Sequence, residues 1–88
     1  MNTSDFIQSL TNLVNEYIAT EEAYSDDVQL QIDTTNLNME IADPDNDLPN
    51  CDYYPMMDFV RMSVTNPGQW EPDPDAIANV AAEYIFTA

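Results

Sequence analysis

Apolar residues recur at steps of three and four along the first part of the chain: Phe6, Ile7, Leu10, Leu13, Val14, Tyr17 and Ile18. That period predicts one amphipathic helix from about Ser4 to Thr20. Thr3 or Ser4 is placed to cap it, with Asp5 at the positive end of its dipole. After an acidic break the period changes to two. Val28, Leu30 and Ile32 alternate with Gln29, Gln31 and Asp33, and then Leu37, Met39 and Ile41 alternate with Asn38 and Glu40. These runs predict a β-hairpin turning at Asp33-Thr34-Thr35-Asn36, its apolar side laid on helices because two strands alone are marginal in water. Residues 42–52, rich in Asp, Pro and Asn, predict a loop. From Tyr53 to Val64 two patterns compete. Met57, Val60, Arg61 and Val64 share a helical face, and Asp58, Val60, Met62 and Val64 also alternate as in a third strand. The helix is preferred, since Asp52 followed by Pro55 suits a helix start. Asn66-Pro67-Gly68 predicts a turn. Asp73 then caps a last helix, with Pro74 in its first turn, Asp75 at the dipole, and Ile77, Val80, Ala81, Tyr84 and Ile85 as its buried face. The expected fold is α+β, a single acidic domain over residues 1–88: an N-terminal helix, a β-hairpin with room for a third strand, and one or two C-terminal helices packed on the sheet.

Composition sharpens this picture. The chain has 88 residues, 44% of them hydrophobic, which suits a small folded core better than a disordered acidic tail. A compact chain of this length has a radius of gyration of about 12 Å. Seventeen Asp and Glu face a single Arg, with no Lys and no His, for a net charge of -16. One cation cannot neutralise a row of phosphates, so direct binding to nucleic acid or an anionic membrane is excluded on electrostatic grounds. The missing His and Lys remove the commonest general base, the Schiff-base amine and the imidazole zinc ligand. The N-terminal stretch MNTSDFIQSL has neither the basic nor the apolar segment of a signal peptide, and no run of residues is long and apolar enough to span a bilayer. A cytoplasmic location in a reducing compartment follows as the expectation.

Candidate chemistry is correspondingly thin. Asp43, Asp45 and Asp47 suggest a calcium loop, but its sixth position, where glycine belongs, is Leu48 and its twelfth, where a bidentate Glu belongs, is Tyr54. Loose screening by divalent cations fits these acids better than a specific metal site. Paired carboxylates for glycoside chemistry need a cleft that a chain with one glycine has little material to build. Cys51 has no His to activate it and no neighbouring cation, so its thiol should keep an ordinary or raised pKa. Neither catalytic residues nor a cofactor are expected, and the chain reads as a non-enzyme. Arg61 is expected to tie down a nearby acid such as Asp58. Trp70 fits a role over the core, or at a contact surface. Tyr53, Tyr54, Met56 and Met57 form an apolar cluster that suits the core first and a protein contact second.

The acids themselves are the remaining signal. Eleven of them lie between Glu21 and Asp58 with no base among them. In an extended segment, residues two apart lie about 6.6 Å apart on one side. Phosphates follow one another every 3.4 Å of duplex axis per strand, with a larger gap through space. Rows of carboxylates can therefore imitate phosphates. Solubility alone asks for a net charge of magnitude about 2–8 with both signs mixed, and does not explain the near absence of cations. In charge and in element order the chain resembles the small acidic DNA-mimic proteins of phages and mobile elements, of the anti-CRISPR and anti-restriction type. That resemblance implies a non-catalytic inhibitor occupying the nucleic-acid groove of a basic nucleic-acid-binding protein. The residues expected to meet this partner are Asp26, Asp27, Asp43, Asp45, Asp47 and Asp52, with Asp73 and Asp75 as a second edge and Trp70 as an apolar contact. Two alternatives stand beside this reading. One is a small bacterial housekeeping domain binding a protein through an apolar patch at Trp70, Tyr53 and Tyr54; the other is a weak divalent-cation binder. A homodimer, which would double the acidic surface, is compatible with either.

Overall fold

The computed structural model describes residues 2–20, 28–42 and 48–84. Helix α1 spans Thr3–Ala19 and buries Phe6, Leu10, Val14 and Tyr17, the stripe its periodicity predicts. Its cap is Asn2, one residue earlier than Thr3 or Ser4: the Asn2 Oδ1 accepts the Asp5 N–H at 2.8 Å. Asn caps at least as well as Ser or Thr, and the earlier start keeps Asp5 within the first turn. At the other end the Thr20 N–H bonds the carbonyls of Glu16 and Tyr17, closing α1.

The hairpin forms as expected from strands β1 (Gln29–Asp33) and β2 (Met39–Ala42). A third strand, β3 (Cys51–Pro55), pairs antiparallel on the other side of β1, giving the order β2-β1-β3. The register sets Leu30 beside Ile41 and Tyr54, and Ile32 beside Met39 and Asp52, on the face turned to the core. Gln31, Glu40 and Tyr53 share the opposite face. Simple alternation predicts an exposed Gln31, yet it is 6% exposed. Its amide is fully engaged there: Nε2 donates to Glu40 Oε1 at 2.8 Å, and Oε1 accepts from Tyr53 Oη at 3.1 Å. Burial of such a group is tolerable only with partners of this kind.

The segment expected to be helical over 53–64 is instead strand, 3-10 turn (Met56–Phe59) and strand β4 (Val60–Met62). Pro55 explains the change. It pushes Tyr54 out of the helical region into extended backbone, where β1 offers an open edge to pair with. Met56 and Phe59 on the 3-10 turn are buried. β4 then pairs antiparallel with a short strand that periodicity does not reveal, β5 (Trp70–Pro72), around the expected turn with Gly68 at φ +90°.

Helix α2 (Pro74–Glu83) starts as its sequence announces: the Asp73 carboxylate accepts the N–H groups of Asp75 and Ala76, and Pro74 follows at once. Ile77 and Ala81 are buried; Ile85 lies outside the described residues. The core joins the α1 stripe to Leu30 and Ile32 of the sheet, Met56, Phe59 and Val60 of the central segment, and Ile77 and Ala81 of α2. The rings of Phe6 and Tyr84 meet at 5.4 Å between α1 and the end of α2. The Cα radius of gyration is 13.0 Å. Among the described residues the architecture is α+β, with a three-stranded sheet, a small two-stranded hairpin and two α-helices.

Candidate acidic binding face

Asp33 ends β1 and begins the turn to β2. Its Oδ1 accepts the backbone N–H of Thr35 at 2.8 Å and of Asn36 at 3.3 Å. These bonds favour the carboxylate and hold its pKa below the ordinary value, so this is a fixed anion. The turn is completed by Leu37 in the left-handed region at φ 59°. Thr34 is tied to the segment before β3, its N–H and its hydroxyl both donating to the Asn50 carbonyl.

On β3, Cys51 lies directly across from Asp33. Glu40 stands on the same sheet face, one diagonal step from Asp33, a separation of roughly 7–8 Å in an antiparallel pair. The Cys51 thiol is pushed up first by burial and then by the charges of Asp33, Glu40 and Asp52. Asp33 and Glu40 share the thiol's face of the sheet, while Asp52, next to it in β3, belongs to the opposite face. A shallow crevice lined by Asp33, Glu40, Gln31 and Leu48 opens beside the thiol.

Asp52 carries the acidic surface round to the other side of β3. Its Oδ2 accepts a 2.6 Å hydrogen bond from the Tyr84 hydroxyl at the end of α2. The Tyr54 hydroxyl lies 3.1 Å from that of Tyr84 and donates to Glu83 Oε2 at 3.0 Å. Burial is the first cause that raises the pKa of both phenols, so they remain neutral donors facing two carboxylates. Asp33 and Glu40 thus lie on one face of the sheet, and Asp52 and Glu83 on the other side of β3 toward α2, with Asp33 and Asp52 held in position by hydrogen bonds.

The remaining expected residues fall elsewhere. Asp26, Asp27, Asp43, Asp45 and Asp47 lie outside the described residues. Asp73 spends its carboxylate on the α2 cap, while Asp75 in the first turn is exposed. Both sit at the start of α2, about 15 Å from Glu83 at its end. Trp70 is half-buried and packs against the core, opposite Met62 across the β4–β5 pair. Tyr53 and Tyr54 are half-buried with their hydroxyls engaged, which takes them out of an exposed apolar patch. Arg61 pairs with Glu71 across the β4–β5 ladder, Nε to Oε1 at 3.2 Å, and not with Asp58, because the segment is a strand. As site residues Asp33, Glu40 and Glu83 are missed by the sequence, which gives Tyr54 to an apolar cluster and Tyr84 to the buried face of the last helix. The Asp-Thr-Thr-Asn turn is a local signal for Asp33; the Asp52–Tyr84 contact joins residues far apart in the chain and leaves no such trace.

Among the described residues, no group of three or more His, Cys, Asp or Glu is arranged to hold a metal ion. No described helix is long and apolar enough to cross a membrane. No family model, curated protein or solved structure matches the chain.

Proposed function

We propose that this chain is a non-catalytic acidic interaction protein whose carboxylates stand in for phosphates in the nucleic-acid groove of a basic partner. What supports this reading is the set of acids around β3, Asp33 and Glu40 on one face of the sheet and Asp52 and Glu83 on the other side, with the chain's single cation, Arg61, occupied by Glu71 on the β4–β5 hairpin. Anions fixed by backbone amides and by tyrosine hydroxyls lose little freedom when a lysine or arginine meets them, which favours recognition over mere solubility. The net charge of -16 adds long-range attraction that speeds encounter with a basic groove and weakens steeply with salt. A cytoplasmic setting belongs to the same proposal.

The test uses a panel of purified basic duplex-binding proteins, each loaded with a fluorescent DNA duplex. The chain should displace the duplex from at least one of them in dilute buffer and lose that ability near 0.5 M salt, where the Debye length falls to roughly 4 Å. The triple amide variant E40Q/D52N/E83Q keeps side-chain shape and hydrogen-bond acceptors while removing three charges, and should displace poorly. Failure against the whole panel, or full potency of the amide variant, overturns the proposal.

A further inference from the structure

The acids are not spread along the whole chain. Residues 59–70 form its longest stretch without an Asp or Glu, and this stretch folds into the β4–β5 hairpin. At its base sit Asp58, Asp73 and Asp75, while Glu71 lies within the ladder and is taken up by Arg61 opposite it. Val60 at the start of β4 enters the core, but Met62 at its end is 58% exposed and Val64, in the bend beyond, 83% exposed. Among the described residues these are the two most exposed large apolar side chains.

The hairpin tip is also held still. Buried Ser63 accepts the Asn66 N–H on its Oγ at 3.1 Å and donates its own N–H to the Gln69 carbonyl at 2.8 Å. The Gln69 N–H returns to the Asn66 carbonyl, and Gly68 supplies the left-handed residue. A side chain on a turn already ordered loses less freedom on docking than one on a loose loop. Charge decides what it docks to. A second copy would bring another acidic base against the first and be repelled. An apolar spot bordered by Lys or Arg is instead complementary both to the tip and to the acids behind it.

We propose that Met62 and Val64 form an apolar anchor that inserts into a hydrophobic spot flanked by cations on the basic target. This rests on the reading of the chain as an acidic mimic, and adds to it a second, salt-resistant contact apart from the acids around β3. Met62, unbranched and polarizable, suits an imperfectly matched pocket, while Val64 is stiff and adds area without rotamer cost.

Two synthetic peptides of equal lysine content, one interleaved with leucine and the other with serine, separate the contributions in an amide NMR titration of the isotope-labelled chain. Both should bind in dilute salt and shift the amides of Asp33, Glu40 and Asp52. Only the leucine peptide should also shift residues 60–70, and it should bind about tenfold more tightly, the equivalent of burying one apolar side chain in part. Raising the salt toward 0.5 M should weaken the binding of both peptides steeply while leaving the tenfold ratio between them. M62S/V64S should erase the tenfold difference while leaving serine-peptide binding unchanged. The single variant V64S, at the more exposed position, should remove part of it if the double variant fails to fold. Equal affinity for the two peptides, or a preference that survives V64S and M62S/V64S, overturns the anchor. So does concentration-dependent self-association that these substitutions abolish, since the occupant would then be a second copy. If neither peptide binds in dilute salt, the acidic-mimic reading falls, and the anchor with it.

Discussion

Tyr84 closes the end of α2 with a hydroxyl donated to Asp52, and Tyr54 stands beside it on β3 facing Glu83. Each phenol titrates above its ordinary value of 10.0. In the unfolded chain both would ionise near that value, so the fold favours their neutral form. The stability they contribute is fully present below pH 10 and is lost as the pH rises beyond it, because the unfolded chain releases its protons first. Alkaline titration followed by tyrosinate absorbance should therefore show a late, cooperative rise that coincides with unfolding and is absent in denaturant. Y84F removes the hydroxyl that bonds the partly solvated Asp52 carboxylate and meets the Tyr54 hydroxyl, and keeps the ring that packs against Phe6. It should lower stability in urea by about 1 kcal/mol and the melting temperature by about 4–8 °C. An unchanged midpoint would show that the ring alone holds α2 to the sheet.

At the scale of elements, the helices depend on side chains at their first turn. D73A leaves the amides of Asp75 and Ala76 without their acceptor and should cost about 1 kcal/mol, read as a lower urea midpoint at unchanged slope. The same local chemistry is why both helices and the first hairpin are legible in the sequence. Apolar residues at helical spacing, Asp-Pro at a helix start and strict alternation about a polar tetrapeptide all act within a few residues. Residues 53–64 are harder because their outcome depends on distant partners: Tyr53 and Tyr54 become a strand when β1 presents its edge, and Val60–Met62 do so when Trp70–Pro72 arrives. Three-residue strands carry too few positions for a period to emerge. The candidate site divides in the same way. Asp33 owes its fixed position to the next three residues. Asp52 owes its position to Tyr84, brought in by the packing of α2, and Cys51 gains its acidic neighbours only once three strands are in register.

At the scale of the whole molecule, a charge of -16 on a small body repels itself, and dissolved salt should relieve that repulsion. The melting temperature should climb with sodium chloride across the range where the screening length shrinks to molecular spacings, measured by calorimetry. A flat response would mean that the acids lie too far apart to feel one another. Such measurements have a built-in reporter. The chain contains one indole, that of Trp70, and it rests half in the core and half toward Met62 on the hairpin. Its emission should redden when the fold comes apart and turn bluer when something apolar covers the hairpin. Melting and docking can thus be told apart by colour in one cuvette, without a label.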